Sequence, residues 1–459
     1  MADEPLKIKR LLIIGLLTGA VSGAGAALFF KGVELGSKFV LETLFGYHFP
    51  VEGESFSEAA LWTLPDTIWL VLPILLAGAF LSALIVWRFA PETSGHGTDA
   101  ALKTYHGDGK IRWRVPLVKA VSAIITISTG GSAGCEGPAA QISAGFGSIL
   151  SDLFRFNERE RKIAIAVGLG AGVGAIFKAP LGGALLAAEI LYLRDMKYDV
   201  LIPALIASLT GYGIFGLFFG FNPLFSTIQM EWSAVQLPLF FVLGVVAAGF
   251  GICYIKSFYG TKRLFDKAAE RWKIPSFLKP VIGAGIMGII IIVLSYISPE
   301  SFAAAVGCLG TGYGFVQLAL FNMLPFAVLL MLPFLKILFT SLTIGSGASG
   351  GVFAPGLSIG AFSGGALGMG VHLLFPEFVP AAAVPVFVVV GMIALFGGVS
   401  HAPFAILLMV VEMTANISVI IPAGIAVFVS CLLMKNHTIF KQQRVSQTDM
   451  RVAGDLEKE

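Results

Sequence analysis

One acidic side chain, Glu136, lies within Gly134-Cys135-Glu136-Gly137-Pro138, a glycine-rich turn opening an apolar helix predicted to continue through Ile142 to Leu150. A helix start presents unpaired N–H groups and a partial positive charge, so such a turn can hold a partly dehydrated anion without a full cation. Pro138 suits the first helical turn, where its missing N–H costs nothing. A second turn, Gly350-Gly351-Val352-Phe353-Ala354-Pro355, opens a helix toward Leu367. A carboxylate at the positive end of a helix can take the place an anion would use; once protonated it loses that attraction and swings away. Acids inside a membrane are functional by default, so Glu136 is expected to serve as gate and proton carrier. The structural alternatives are a helix cap or an ion pair with Lys119 or Lys178.

Enzyme chemistry would need a nucleophile with its base, or a metal cluster. The six histidines, His48, His96, His106, His372, His401 and His437, form no HExxH pattern or close pair. Cys135, Cys253, Cys308 and Cys431 lie far apart without metal-ligand spacing and are expected to be thiols without cofactor chemistry. No metal, cofactor or enzymatic activity is expected.

The elements that position the two turns must be membrane helices. The 459 residues are 56% hydrophobic and 13% charged, with a mean hydropathy of +0.86, far more apolar than an ordinary soluble protein. Long apolar stretches recur at about Leu11 to Phe30, Leu61 to Phe89, Leu239 to Ile255, Val281 to Ile297, Met323 to Ile344 and Val384 to Val411. Several are long enough to cross the roughly 30 Å hydrocarbon layer. A spanning chain is helical or a closed barrel, and no period-2 alternation supports a barrel, so an all-α polytopic membrane protein is predicted. The first stretch is too long for a signal segment and is taken as retained. Lys7, Lys9 and Arg10 precede it, and Lys435, Lys441 and Arg444 follow the last apolar run, which predicts both termini in the cytoplasm. The net charge of +3 is spread along the chain and gives no reason to expect a nucleic-acid partner.

Fifty-five glycines permit close helix packing and breaks where backbone faces a ligand. The stretch GLGAGVGAIFKAPLGGALLAAEI, Gly168 to Ile190, lies without gaps on GMIALFGGVSHAPFAILLMVVEM, Gly391 to Met413. Ala179 and Pro180 meet Ala402 and Pro403, Lys178 meets His401, and Glu189 meets Glu412. Upstream of each copy, Glu136-Gly137-Pro138 corresponds to Phe353-Ala354-Pro355. Two related halves are predicted, with a binding site at midplane where broken helices meet. The predicted organisation is an N-terminal segment 1–8, a first membrane repeat 9–222, a linker with the first long helix of the second half 223–275, a second repeat 233–415, and a last membrane helix with a short tail 416–459. A charged helical stretch from Lys256 to Lys273 reads as the soluble end of a long helix, and Pro50 to Glu58 as an exposed loop.

On these residues the sequence resembles the CLC family of chloride channels and chloride/proton exchangers. Its Gly-Lys/Arg-Glu-Gly-Pro pattern is matched by GCEGP, and its Gly-x-Phe-x-Pro by GVFAP at Gly351 to Pro355. The likeness runs from about Leu11 to Met434. A fluoride-exporting branch is similar to GREGT-like motifs, whereas Pro138 completes the chloride type. The resemblance implies a CLC fold of two inverted repeats, a homodimer with a pore in each subunit, and Glu136 as the gating glutamate. It also implies anion contacts at Gly134, Cys135, Gly137, Gly351, Val352, Phe353 and Ala354.

Three departures from the family bear on function. Its first anion loop, Gly-Ser-Gly-Ile-Pro, is represented by Ser94-Gly95-His96-Gly97-Thr98-Asp99, in two possible registers. If the Gly-x-Gly frames match, His96 replaces the chloride-facing serine; a shift of one brings Ser94 or Gly95 near that place. A histidine N–H can donate to chloride, and its protonation would make anion access pH-sensitive. Where the family has a tyrosine contacting the central anion, the chain has Phe440, with no O–H to donate, which predicts weaker or slower anion handling. The position of the exchangers' second, inward-facing glutamate holds Ile190, with Glu189 one residue earlier and about 100° round the helix. Chloride/proton antiport and a passive chloride channel gated by Glu136 both stay open. The expected partners are chloride or other small anions, protons, the lipid of the cell (inner) membrane and a second copy of the chain.

Overall fold

Leucine-, isoleucine- and phenylalanine-rich runs without alternation can satisfy their backbone in lipid only as helices. In the computed structural model, residues 8–50, 64–226 and 230–456 are described, and these are helical with isolated bridge pairs and no strands among them. In chain order the helices are α1 (Ile8–Ser37), α2 (Val71–Phe89), α3 (Thr98–His106), α4 (Arg114–Ser128), α5 (Glu136–Leu153), α6 (Glu158–Ile176), α7 (Pro180–Glu189), α8 (Leu201–Phe219) and α9 (Leu237–Trp272). After α9 come α10 (Lys279–Ser295), α11 (Pro299–Val306), α12 (Tyr313–Leu320), α13 (Phe326–Thr340), α14 (Phe353–Leu374), α15 (Val384–Ser400), α16 (Pro403–Thr414), α17 (Ile420–Met434) and the short α18 (Ala453–Leu456). Of the predicted loop at 50–58, residues 51–58 lie outside the described residues, as do 1–7 of the N-terminal segment.

Among the described residues nine helices are long and apolar enough to cross a membrane. One of them, Ala381–Ser400, is almost wholly inside the protein, which explains why its valines and phenylalanines show no polar face. The predicted run Val384 to Val411 is corrected: it is two helices, broken where His401 turns left-handed at φ +51° and Pro403 starts α16. The break has a twin at Lys178, φ +54°, ahead of Pro180 and α7. A span at Tyr198–Phe219 was not among the predicted stretches. The charged stretch 256–273 continues α9, a single 36-residue helix.

Ion pairs mark one face of the protein. Arg10 meets Glu160 at 2.6 Å, Arg159 meets Asp199 at 2.8 Å, and Lys197 donates to Gln447 at 3.1 Å, so both described chain ends lie together. The C-terminus of α5 reaches this face, where Asp152 pairs with Arg161. The C-terminus of α14 reaches the opposite one, near Phe378 and Ala381, which accept from Gln236 and Asn322. The helices α5 and α14 therefore start together and run apart.

The two halves also cap each other. The Glu189 carboxylate accepts from Ala405 N at 2.7 Å and Phe404 N at 3.3 Å, at the start of α16. Glu412 accepts from Gly182 N at 2.7 Å and Leu181 N at 3.1 Å, at the start of α7. Each acid closes the other half's helix, where N–H groups lack partners within the helix and the local charge is positive.

Candidate functional site

Gly134 and Gly351 exchange both backbone hydrogen bonds at 2.8 Å, which ties the turn before α5 to the turn before α14. A side chain is excluded here: a Cβ on Gly351 would lie 2.7 Å from Gly134 O and 2.8 Å from Gly137 N. A Cβ on Gly134 would run into Oε2 of Glu136 and come within 3.0 Å of Ala354 N. The carboxylate thus curls back beside Gly134 to the place where both helix starts converge. Glu136 is fully buried, and its Oε1 accepts from the Tyr313 hydroxyl at 2.8 Å. At that junction the amide ends and dipoles of two helices favour negative charge.

Two glycine loops frame the junction. In the first, Gly95 and Gly97 take φ of +77° and +79°, and the Lys119 ammonium donates to Gly95 O at 2.7 Å and Thr93 O at 3.0 Å. The loop is pinned to the second half by Gly350 N on Gly95 O at 3.3 Å, and the His96 carbonyl packs against Gly137. In the second loop, Gly310 and Gly312 take φ of +54° and +85°, and Lys336 donates to Gly310 O at 2.8 Å and Cys308 O at 3.1 Å. Both lysines are fully buried.

The side chains of the first loop divide. Ser94 spends its hydroxyl on Gly347 O at 2.8 Å. The His96 ring is buried, 5.7 Å from the Phe440 ring and 6.1 Å from Phe258, with Nε2 3.4 Å from Asp99 Oδ2 and Nδ1 without a hydrogen-bond partner. Phe440 completes an aromatic wall with Phe353 at 5.8 Å and Phe396 at 6.5 Å. The Val352 carbonyl accepts from Gly356 N and from the Tyr254 hydroxyl, each at 3.1 Å, while the first amides of α14, as at any helix start, point the other way. Ile190 is fully buried, and its carbonyl accepts from Gln443, which also donates to Ser400 O.

On the face opposite the chain ends, a vestibule of about 1110 Å³ reaches inward to Cys135 and the Gly310–Gly312 loop, with Glu34, Lys38 and Lys178 on its walls. Lys178 donates to Phe219 O at 3.0 Å and Lys119 to the first loop. Among the described residues no group of His, Cys, Asp or Glu is gathered as metal ligands would be.

Sequence reasoning missed Tyr313, Lys336 and the second glycine loop. A signal was present: Lys119 lies 17 residues before Glu136 and Lys336 lies 17 before Phe353, each with a Gly-x-Gly upstream.

The model of the family "Voltage gated chloride channel" matches residues 78–435. The chain is 33% identical over 379 residues to an uncharacterized protein of Methanocaldococcus jannaschii, covering 82% of this chain and 87% of that one. It is 29% identical over 455 residues to the H(+)/Cl(-) exchange transporter ClcA of Vibrio cholerae, covering 96% and 92%. Two solved structures share the fold. A CLC-type fluoride/proton antiporter has a TM-score of 0.77 at 20% identity over 97% of this chain and 100% of that one. A slow cyanobacterial Cl-/H+ antiporter has 0.73 at 24% over 94% and 95%. With an all-α fold built on two broken-helix turns and a family match over most of its length, the chain belongs to the CLC, or voltage gated chloride channel, family and is an anion transport protein rather than an enzyme.

Proposed function

We propose that this protein exchanges chloride for protons, with Glu136 as gate and proton carrier. The observation that carries the reading is the buried Glu136 carboxylate beside Gly134 and Ala354, where two diverging helices begin. A halide has the same claim on that place, since the backbone from Gly134 to Gly137 and from Gly351 to Ala354 supplies amides and dipole rather than a full cation. Protonation cancels the carboxylate's claim, the acid leaves, and the anion takes over. The relatives named H(+)/Cl(-) exchange transporter support coupling to protons. On the other flank His96 is the favoured anion-facing side chain of its loop, because the Ser94 hydroxyl is engaged with Gly347. The proposed setting is a homodimer in the cell membrane with the halves near 9–222 and 233–415. Both ends face the cytosol, as the basic residues Lys9, Arg10, Lys435, Lys441 and Arg444 favour.

A passive channel is the second reading, favoured by one observation: Ile190 offers no proton carrier, and the neighbouring Glu189 carboxylate is bonded to two amides of α16. Paired chloride and proton fluxes from liposomes separate the two. Uphill proton movement driven by a chloride gradient is expected, and its absence assigns a channel. Glu136→Gln is expected to abolish proton movement while some chloride flux persists; unchanged proton flux would remove Glu136 from the mechanism.

A further inference from the structure

Tyr313 is the first residue of α12 and is 3% exposed. Its ring is fixed by Phe225 at 5.4 Å and 85° and by Phe177 at 6.5 Å. The loop that delivers it is fixed as well, by the Lys336 ammonium on the carbonyls of Cys308 and Gly310 and by Gly312, whose Cβ would lie 3.0 Å from that ammonium. The phenol oxygen is therefore set in place by packing before it meets Glu136 at 2.8 Å, and the contact joins residues 177 apart, one in each half. Nothing in the gating scheme above requires it.

We propose that Tyr313 is a positioning residue, a latch whose O–H holds the ionised Glu136 in the junction and so sets the pH at which the gate lets go. The inference rests on the reading of Glu136 as gate. A phenol donates to a carboxylate more strongly than to a neutral acid, because the acceptor charge roughly doubles such a bond. A carboxylate that loses a charge-assisted donor takes up its proton more readily. In the step itself a proton from the vestibule adds to the Glu136 carboxylate, the phenol keeps its own proton, and the O–H···O⁻ contact is exchanged for a weaker one. The other charged or titratable groups around the pair are already engaged or set back. Lys336 on α13 is within electrostatic reach of Glu136 but is bonded to two carbonyls. Cys308 in the loop before α12 donates to Leu332 O. Cys135 precedes the acid, Lys178 lies in the turn before α7 and donates to Phe219 O, and Lys119 on α4 holds the first loop. The side chain of His96 faces Phe440 and Asp99.

The test is the pH profile of chloride flux from liposomes, with pH varied on the vestibule side. Tyr313→Phe keeps the ring and removes the donor; the half-maximal point is expected to move about one unit to higher pH, the size of one hydrogen bond to a charged group. Replacing Tyr313 by 3-fluorotyrosine keeps the shape and strengthens the donor, and is expected to move the point to lower pH. In a Glu136→Gln background neither change should alter the profile. Profiles of both variants that coincide with the parent's, or shifts that survive in the Glu136→Gln background, overturn the latch while leaving Glu136 as the gate. Proton flux that persists in Glu136→Gln itself overturns the gate and the latch together.

Discussion

Lys119 holds the carbonyls of Thr93 and Gly95, and Lys336 holds those of Cys308 and Gly310, so the glycine loops on the two sides of the junction are built by one device. What each loop carries is different. The first turns the His96 ring toward Phe440 in an aromatic setting, and the second delivers the Tyr313 hydroxyl to Glu136. The clamp suits a buried glycine loop, whose carbonyls would otherwise be short of donors. The side chains differ with their surroundings, since one flank meets the acid and the other the aromatic wall of Phe440, Phe353 and Phe396. Where the first loop's flank presents Phe440, which has no O–H, the second presents the hydroxyl of Tyr313.

The equivalence of the loops can be broken most sharply at the clamps. Lys119→Met and Lys336→Met each withdraw a charged donor from two buried carbonyls, of which Gly95 O keeps Gly350 N and Gly310 O keeps Ala133 N, and each is expected to cost about 1–3 kcal/mol. Thermal unfolding in detergent would show both variants lowered by similar amounts; a variant that melts with the parent would end the comparison for its loop. The reciprocal caps give a milder version of the same test. Glu189→Ala and Glu412→Ala each remove a carboxylate from two helix-start amides and should each cost about 1–2 kcal/mol. Unequal losses would mean that only one of the two joints is structural. The smallest effect sharpens the difference rather than the likeness. Phe440→Tyr returns a hydroxyl to the His96 flank and is expected to tighten chloride binding roughly fivefold, about 1 kcal/mol, by calorimetry. Unchanged affinity would place Phe440 off the anion path.

Much of this was legible in the chain because the signals are local. Gly-Cys-Glu-Gly-Pro and Gly-Val-Phe-Ala-Pro announce helix starts, since glycine and proline preferences act within one turn, and α5 and α14 begin inside those motifs. The matched segments around Ala179-Pro180 and Ala402-Pro403 share a break down to the left-handed residue before it. Hydropathy alone concealed the second of these, because α15 is buried on every side and so runs into α16 without a polar interval. The Tyr313 contact was invisible for another reason. It depends on a loop shape set by a lysine side chain and on partners far away in sequence, and no periodicity records that. Glu189 shows the same limit. Its match to Glu412 pointed to a structural role shared by both repeats, whereas the amides it meets, those of Phe404 and Ala405, follow from how α7 and α16 are placed.

Those two crossed carboxylates also impose an order on biosynthesis. Gly182 leaves the ribosome 230 residues ahead of the Glu412 that will satisfy its amide. At about 5–20 residues per second the wait is roughly ten to forty-five seconds. During that interval the start of α7 lacks the carboxylate that seals it in the finished fold, so its amides need water or another transient acceptor until the later half arrives.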